Sequence, residues 1–406
     1  MPGELVEVED ARRAVLERVR ALPAEQVPLR EALGRVLAED VVAPEPVPGF
    51  DNSAMDGYAV RAADTARVPV RLRLVGESRA GHPAEAAVGE GETIAISTGA
   101  MVPDGADAVV RLEDTGPDGD GVEVRAAAAP GLNVRRAGED VEAGEAVLRA
   151  GTAIGAAEQG VLASAARDAV RCGRRPRVSV VVSGDELVGP GDPIRPGAVR
   201  DSNAYTVPAL AAGAGAEVFS VEHVGDDPGE TLAALDRALG SDVAIVCGGV
   251  SVGPHDHVRP ALAELGAREV FWGVALRPGK PTWFGEGPSG LAFGLPGNPV
   301  SAMVTFILFA RPALLAMQGR EPGAVRSRAR LGAGYEKKPG RAHAVRSRLE
   351  LTPGGLVAWP TGPQGSHVLT SMLGADALAI LPAPAAAAAA GDEVEVELLP
   401  GSTMAT

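Results

Sequence analysis

The stretch from Ser241 to His257, which reads SDVAIVCGGVSVGPHDH, constrains the fold more than any other part of the chain. Its apolar run, residues 243–247, is typical of a strand that is buried on both faces of a parallel sheet. Gly248 and Gly249 end this run, and glycine permits both a sharp turn and a close approach of the backbone to a ligand. Apolar residues at helical spacing begin after Asp256. A strand, a glycine turn and a helix in this order can hold a phosphate, but the same order also forms turns that bind nothing.

The glycine loop matches neither of the two best-known phosphate-binding signatures. It contains no GxGxxG pattern and no GxxxxGK[ST] pattern, so the sequence predicts neither a Rossmann dinucleotide site nor a P-loop. The choice between a ligand-binding turn and a structural turn therefore depends on the other residues at the same edge of the sheet.

Strands and helices alternate from residue 176 to residue 322, which predicts a mostly parallel sheet with helical crossovers. Ligands in such sheets bind beyond the carboxyl ends of the strands. Three of these ends carry polar or glycine-rich turns, namely SGDE at 183–186, CGGVSVG at 247–253 and GLPGNP at 294–299. We therefore expect the ligand site at this edge of the sheet.

The rest of the chain, which has 406 residues in all, is too long for a single core and predicts further domains. Apolar positions at helical spacing between residues 9 and 38 predict two helices, which Pro23 and Pro28 separate. The segment Thr152–Val170 predicts another helix with a threonine N-cap. Short alternating strands from about residue 68 to 150 predict an all-β module.

The tail after residue 322 is again made of short strands and turns, and it predicts a small β-barrel or sandwich. The predicted fold class is thus multidomain α/β plus β. It combines a central three-layer α/β domain with a mostly parallel sheet, a helical N-terminal domain with a β insert, and a small C-terminal β-barrel.

Composition disfavours several classes of function. The net charge of −15 argues against nucleic acid as a partner, and it requires local Arg, Lys and N–H groups to bind any anionic substrate. No apolar run reaches about 18 residues, so we expect no membrane-spanning helix, and the N-terminus does not have the pattern of a signal peptide. Cys172 and Cys247 form no CxxC and no zinc-binding spacing, which favours a reducing cytoplasm.

Acidic residues concentrate beside the turns that end the predicted strands: Asp185, Glu186, Asp201, Asp226, Asp227 and Asp256. Carboxylates that converge at one sheet edge suit Mg²⁺, which prefers oxygen ligands and bridges substrate phosphates. Each acid can instead be a helix N-cap or first-turn residue, which contributes about 0.3–1 kcal/mol. Several such ends in succession favour the binding-site interpretation.

Basic residues lie near other turns. Arg277 and Lys280 flank a Pro-Gly turn, Arg135 lies in NVRRAGED, and Arg341 lies in KKPGRAH. Arginine binds oxyanions through two parallel hydrogen bonds and lysine supplies a point charge, although an exposed arginine is more often simply solvated. The sequence shows no Ser, His and Asp arrangement that would predict a hydrolase.

The turn GLPGNPVSA is more specific than these single residues. Pro296, Asn298 and Pro299 fix a rigid turn directly before a helix. The N-terminus of that helix is expected to point toward the ligand edge of the sheet.

Taken together, eight motifs resemble those of the molybdenum insertases, the molybdopterin molybdenumtransferase family, which is MoeA-like and similar to the E domain of gephyrin. In chain order they are DNSAMDGYAV, STGAMVPDGADAVV, NVRRAGED, SGDEL, GGVSVG, RPGKP, GLPGNPVSA and PQGSH. Each motif alone is weak, but eight in order over about residues 5 to 398 are specific.

The resemblance implies four domains and an elongated homodimer whose cleft is lined by both subunits. The domains are a helical dimerisation domain from residues 1–43 and 139–175, an inserted β domain from 44–138, an α/β molybdopterin-binding domain from 176–322 and a C-terminal β domain from 323–406. The resemblance also implies a reaction. Molybdate is inserted at the dithiolene of adenylylated molybdopterin, the adenylate is cleaved, and molybdenum cofactor and AMP are released with the help of Mg²⁺.

The resemblance assigns roles to individual residues by motif. The catalytic residues that it implies are Asp56, Thr98, Arg135, Asp140, Glu186, Asp226, Asp256, Arg277 and Lys280. The substrate-binding residues are Gly248, Gly249, Ser251, Pro296, Asn298, Pro299, Arg341 and Ser366, and the metal ligands are Glu186, Asp226 and Asp256. Asp56, Thr98, Arg135 and Asp140 are expected to come from the partner subunit. Relatives often have lysine where this chain has Gly273 and Arg277.

Two other functions remain open at this point. A non-catalytic relative with the same fold would bind and carry molybdopterin or its molybdenum form, and a scaffold would organise partner proteins. Partners that the resemblance implies are the adenylyltransferase that precedes this step and the molybdoenzymes that receive the cofactor, with no nucleic acid and no membrane involved.

Overall fold

The computed structural model of the chain describes residues 5–251 and 256–401. The chain divides into two compact units. The larger unit comprises Met1–Glu25, Gly34–Ala38 and Arg171–Thr406, and the smaller unit comprises Gln26–Leu33 and Glu39–Val170. The finer division into four domains stays a prediction.

The smaller unit contains a six-stranded sheet, as the short alternating strands of the sequence predict. In order across the sheet, the strands are Ala108–Arg111, Gly57–Val60, Glu92–Ile96, Val70–Ser78, Gly121–Val124 and Thr115–Asp118. The pair Val70–Ser78 and Glu92–Ile96 is parallel, and the other pairs are antiparallel. Val60 and Val110 enter one apolar cluster, whereas Ala59 and Val109 enter another. This alternation between two faces is the reason that the segment folds as a sheet.

The helix predicted from Thr152 to Val170 is shorter than expected and begins later. It spans Ala156–Ser164 with Gly155 as its N-cap, so Thr152 does not cap it. The carboxylate of Glu158 accepts a hydrogen bond of 2.9 Å from the N–H of Gly155, which satisfies a donor that the helix cannot. The chain then turns into the strand Ala169–Gly173.

The second N-terminal helix predicted between residues 9 and 38 is wrong. The first helix spans Val8–Leu16, but the strand Ala24–Pro28 and a single 3-10 turn follow it. Gly34 has a φ of +75°, a left-handed conformation that interrupts helical hydrogen bonding. Leu37 is buried, and its backbone forms an antiparallel β-bridge with Cys172. Its apolar spacing fits an extended segment as well as a helix, and periodicity over so short a run does not separate the two.

The larger unit is built around a six-stranded central sheet. In order across the sheet, its strands are Glu217–Val224, Arg177–Ser183, Val243–Cys247, Leu291–Leu295, Trp283–Glu286 and Arg268–Trp272. The first four strands are parallel to one another, and the last two join antiparallel. The prediction of a mostly parallel sheet is therefore confirmed.

Apolar clusters cover both faces of the central sheet. Val180 and Val182 pack in one cluster with Val207, and Val181 packs in the other with Leu235 and Leu262. The unbroken apolar runs of these strands thus reflect burial on both faces. The helices of this region are Asn203–Gly213, Pro228–Leu239, Val258–Glu264, Pro299–Thr305 and Arg311–Met317.

The last two helices form one continuous run through a π-helical turn at Phe306–Ala310. Arg311 and Pro312 follow this turn, and proline lacks the N–H that would continue the hydrogen bonding of the preceding turn. By length and composition, the run Pro299–Met317 is able to cross a bilayer, but 83% of its most apolar window is buried inside the protein. Such burial is typical of a core helix.

The C-terminal strands close into a five-stranded barrel, as predicted. Around the barrel they are Ala342–Thr352, Gly355–Pro360, Arg326–Leu331, Glu393–Leu398 and Ala377–Leu381, and the last strand pairs again with the first. Closure removes the exposed edges of the sheet. Shorter strands elsewhere are Val41–Val42, Asn52–Ser53, Val134–Arg135, Ala146–Leu148, Leu187–Val188, Val199–Arg200, Leu276–Arg277, Tyr335–Glu336 and Ala387–Ala388.

Candidate functional site

The carboxyl ends of the parallel strands border a cavity of about 710 Å³. A cavity of roughly 300–1,000 Å³ is typical of small-molecule sites. Nine of the residues predicted for the site line it: Glu186, Asp226, Asp256, Gly248, Gly249, Ser251, Pro296, Asn298 and Pro299. The structure therefore brings together turns that are distant in sequence, as the strand and turn pattern predicts.

The glycine turn is required by both conformation and space. Gly248 has a φ of +95° and Gly249 a φ of +63°, which side chains rarely adopt. A Cβ at Gly248 would lie 2.6 Å from the carbonyl oxygen of Ser183, and one at Gly249 would lie 2.7 Å from a methyl group of Val258. Residues 252–255 of the predicted loop lie outside the described residues, and the helix begins at Val258 rather than at Asp256.

The acidic residues near these turns separate into two groups. Asp227 is the N-cap of the helix Pro228–Leu239, and its carboxylate accepts a hydrogen bond from the N–H of Glu230. Asp201 lies one residue before the N-cap Ser202, and its carboxylate accepts a hydrogen bond from the N–H of Ala204. Asp226 and Asp256 are partly buried and Glu186 is exposed, and all three line the cavity, as does Asp201. The N-cap interpretation is therefore confirmed for Asp227, while Glu186, Asp226 and Asp256 meet at the predicted ligand edge.

Magnesium fits this cavity as an ion that is shared with substrate and water. In the described part of the chain, no three His, Cys, Asp or Glu side chains are close enough together to hold a metal ion. Mg²⁺, however, usually keeps several waters and takes one or two carboxylates together with substrate phosphates. The assignment of Glu186, Asp226 and Asp256 as its ligands stays a prediction.

Asn203 is a cavity-lining residue that sequence reasoning missed. Its side chain is 5% exposed, and its Nδ2 donates a hydrogen bond of 2.7 Å to the carbonyl of Gly297. This bond ties the start of the helix Asn203–Gly213 to the GLPGNP turn. The available signal was a polar DSN sequence between a turn and an apolar helix.

A buried arginine holds the loop that carries Ser366. Arg346 is 1% exposed, its Nε donates to Ser371 Oγ at 3.1 Å, and its Nη2 donates to the Gly365 carbonyl at 3.2 Å. The carboxamide of Gln364 bonds to both the N–H and the carbonyl of Arg346. Burial lowers the pKa of Arg346 to about 10, and a buried guanidinium needs such hydrogen bonds in place of those to water.

Three basic residues surround the buried imidazole of His343. Burial, followed by the charges of Arg277, Lys337 and Arg341, lowers the pKa of His343 to about 4. Lys337 donates hydrogen bonds to the carbonyls of Arg341 at 2.9 Å and Ala383 at 3.1 Å. The structure thus places the predicted residues Arg277 and Arg341 in one basic cluster and adds Lys337, which the sequence did not indicate.

Four predicted residues of the larger unit are not among those that line the cavity: Arg277, Lys280, Arg341 and Ser366. Lys280 and Ser366 are each adjacent in sequence to a lining residue, Pro281 and His367 respectively. The carbonyl of Ser366 also accepts a hydrogen bond of 3.2 Å from Val300 in the lining helix.

The four predicted residues of the smaller unit lie on its turns and short strands. Asp56 accepts a hydrogen bond of 2.7 Å from the N–H of Thr98, so the structure brings these two together. Arg135 is exposed on a short strand that pairs with Asn52, and Asp140 is exposed in the following turn.

Comparison with known families decides the relationship. Three family models match the chain: the MoeA N-terminal region (domain I and II) over residues 6–166, the probable molybdopterin binding domain over 179–316, and the MoeA C-terminal region (domain IV) over 328–399. The chain belongs to the MoeA family. The predicted resemblance is therefore confirmed.

Relatives of this MoeA family chain match over nearly its full length. Molybdopterin molybdenumtransferase 2 of Mycobacterium tuberculosis is 38% identical over 96% of this chain and 98% of its own. Molybdopterin molybdenumtransferase of Haemophilus influenzae is 34% identical over 97% of this chain and 98% of its own. A crystal structure of a molybdopterin biosynthesis MoeA protein from Pyrococcus horikoshii has a TM-score of 0.83 at 30% identity, over 98% of this chain and 100% of its own.

Proposed function

We propose that this protein is a molybdenum insertase of molybdenum cofactor biosynthesis. It inserts molybdate into adenylylated molybdopterin and cleaves the adenylate, so that molybdenum cofactor and AMP leave. One observation carries the proposal: Glu186, Asp226 and Asp256 line a single cavity together with the Gly248–Gly249 turn. That combination suits a substrate that carries phosphates and a divalent ion.

The glycine turn is proposed to bind a phosphate of the substrate through backbone N–H groups. The N–H of Gly248 donates to the carbonyl of Leu295 at 3.1 Å, so the donors that face the phosphate would begin at Gly249. The absence of a Cβ at Gly249 lets the phosphate approach the backbone closely.

Mg²⁺ is proposed to be held by Glu186, Asp226 and Asp256 together with water and the substrate phosphates. When bound, it would neutralise negative charge at the phosphate that is cleaved. Glu186 and Asp226 lie three and two residues beyond the strands Arg177–Ser183 and Glu217–Val224, which packing holds in place, and they would therefore hold such an ion in a fixed position.

The basic cluster of Arg277, Lys337 and Arg341, with Ser366 and Lys280, is proposed to attract molybdate. Fixed positive charge is needed there because the molecule as a whole carries −15. Asp56, Thr98, Arg135 and Asp140 are proposed to complete the site from the partner subunit of a homodimer. Cys172 and Cys247 are free thiols, which suits the proposed cytoplasmic location.

Release of AMP tests the proposal. Purified protein with adenylylated molybdopterin, molybdate and Mg²⁺ should release AMP, and Asp256→Asn should reduce the rate by about 100-fold or more. Asp236→Asn, a change at an exposed residue of the helix Pro228–Leu239, serves as the matched control. Substrate binding without AMP release by the wild type would favour the carrier function, and normal turnover by Asp256→Asn would overturn the assignment of that residue.

A further inference from the structure

His367 lines the cavity, and neither its motif nor the proposed reaction has given it a role. It shares the cavity with the Gly248–Gly249 turn and with the carboxylates of Glu186, Asp226 and Asp256. Its side chain is exposed, so a molecule that enters the cavity can reach the imidazole.

The backbone around His367 is held in place from two sides. On one side, the buried guanidinium of Arg346 donates to the Gly365 carbonyl at 3.2 Å. On the other side, the Ser366 carbonyl accepts a hydrogen bond of 3.2 Å from the N–H of Val300. The loop is therefore anchored to both the barrel and the helix that borders the cavity, and the position of His367 follows from these anchors.

A glycine makes room for the imidazole itself. A Cβ at residue 365 would lie 2.9 Å from Cε1 and 3.2 Å from Nδ1 of His367. Gly365 does not have a left-handed φ, so conformation alone does not demand glycine at this position. The atoms that a side chain there would meet belong to the ring of His367 and, at 3.1 Å, to Cγ2 of Val368.

An anion that enters the cavity meets more acidic than basic side chains. Four carboxylates line it, from Glu186, Asp201, Asp226 and Asp256, and the basic side chains among the described lining residues are those of Arg200 and His367. Arg200 Nη1 donates to the backbone carbonyls of Gly189 and Asp192, and these bonds hold its guanidinium to the loop. His367 is therefore the lining residue best placed to donate a hydrogen bond to an anion in the cavity.

We propose that His367 is a substrate-contacting residue whose imidazole N–H donates a hydrogen bond to an anionic phosphate oxygen of the substrate, and of the AMP that is released. This inference rests on the proposed function, because it assigns a contact within the same site. An imidazole ring placed by a fixed loop loses little freedom on binding, which makes such a hydrogen bond effective.

Binding of AMP and of adenosine, measured by calorimetry, separates a phosphate contact from a structural effect. His367→Ala should weaken AMP binding by about ten-fold or more, while adenosine, which has no phosphate, should bind as it does to the wild type. His367→Gln keeps an N–H donor and should recover part of the loss. Gly365→Ala, which displaces the ring without removing it, should weaken AMP binding in the same direction.

His82→Ala, at an exposed histidine of the smaller unit, is the matched control and should bind AMP normally. Equal AMP affinity for His367→Ala and the wild type would overturn the inference, as would an equal loss of adenosine affinity. AMP release by the wild type in the turnover assay tests the proposed function separately. A wild type that turns over while His367→Ala keeps both its KM and its AMP affinity would contradict only the role of His367.

Discussion

Both the backbone conformation and the lack of space favour glycine at residue 248, and experiment can separate these two effects. Gly248 has a left-handed φ, and a Cβ there would also meet the backbone of Ser183 at 2.6 Å, whereas Gly340 has a φ of +102° with no described heavy atom within 4 Å of such a Cβ. Gly340→Ala should lose about 1 kcal/mol of unfolding free energy through conformation alone. Gly248→Ala should lose about 1–3 kcal/mol more, because the close contact is with backbone that cannot move aside. Urea unfolding of both variants measures the difference, and equal losses would mean that the contact is relieved cheaply.

His343 predicts a specific dependence of stability on pH. The unfolded histidine takes up its proton near pH 6.5, whereas the folded one does so only near pH 4. The unfolded chain therefore binds more protons between these values, and the stability from this residue, present above pH 6.5, is lost as the pH falls toward 4. The loss approaches about 3 kcal/mol.

The variant His343→Gln removes this titration and leaves a polar side chain of similar size. Denaturant unfolding of both proteins between pH 7 and pH 4 isolates the contribution of His343 from that of the carboxylates, which both proteins share. The stability of the wild type should fall more steeply than that of the variant. Parallel curves would show that the buried imidazole takes up a proton as easily as an exposed one.

At the scale of elements, Arg346 couples a barrel strand to the loop at residues 361–372. Arg346→Lys keeps the charge but loses the fork that donates to both the Gly365 carbonyl and Ser371 Oγ. We expect a loss of about 2–4 kcal/mol in unfolding free energy and faster amide hydrogen exchange at Ser371, which donates to the loop. Arg348→Lys, an exposed change on the same strand, should alter neither quantity. Unchanged exchange in Arg346→Lys would show that the loop is held by other contacts.

Local patterns predicted the elements whose burial is regular. Residues 243–247 are apolar throughout because the strand has a core cluster on each face, and adjacent residues such as Val109 and Val110 enter different clusters because their side chains point to opposite faces of the sheet. The predicted helix near Leu37 was wrong, since its partner, Cys172, lies far along the chain and turns the segment into a bridge. Periodicity indicates which residues are buried but not which other segments of the chain cover them.

The residues of the site also differ in whether the local sequence could predict them. The glycine turn, Glu186 and Asp226 could be predicted because each comes within three residues of the end of its own strand, and parallel strands bring such ends together. Asn203, Arg346 and Lys337 could not, because their importance depends on backbone carbonyls at Gly297, Gly365 and Arg341 that only the folded chain presents to them. Residues that touch the ligand can be recognised from a sequence motif more easily than residues that hold a loop in place.

At the scale of the whole molecule, the proposal requires residues from two subunits at each site. If Asp56 of the partner subunit completes the cavity that contains Asp256, then Asp56→Asn and Asp256→Asn damage opposite halves of a composite site. A dimer with one chain of each kind would then have one intact site and one doubly altered site. Random association makes about half of the dimers mixed, so co-expression should give about a quarter of the wild-type AMP release.

The control for this experiment is a pair of changes within the same cavity. Asp226 and Asp256 both line the cavity of the larger unit, so a mixture of Asp226→Asn and Asp256→Asn leaves every site with one altered carboxylate and should restore nothing. If the mixture of Asp56→Asn and Asp256→Asn is equally inactive, although each variant forms dimers by sedimentation, the two residues do not belong to sites shared across subunits. Recovery in the first mixture alone would instead require that each subunit supply part of its partner's site, because no rearrangement within one chain can repair a change in that chain.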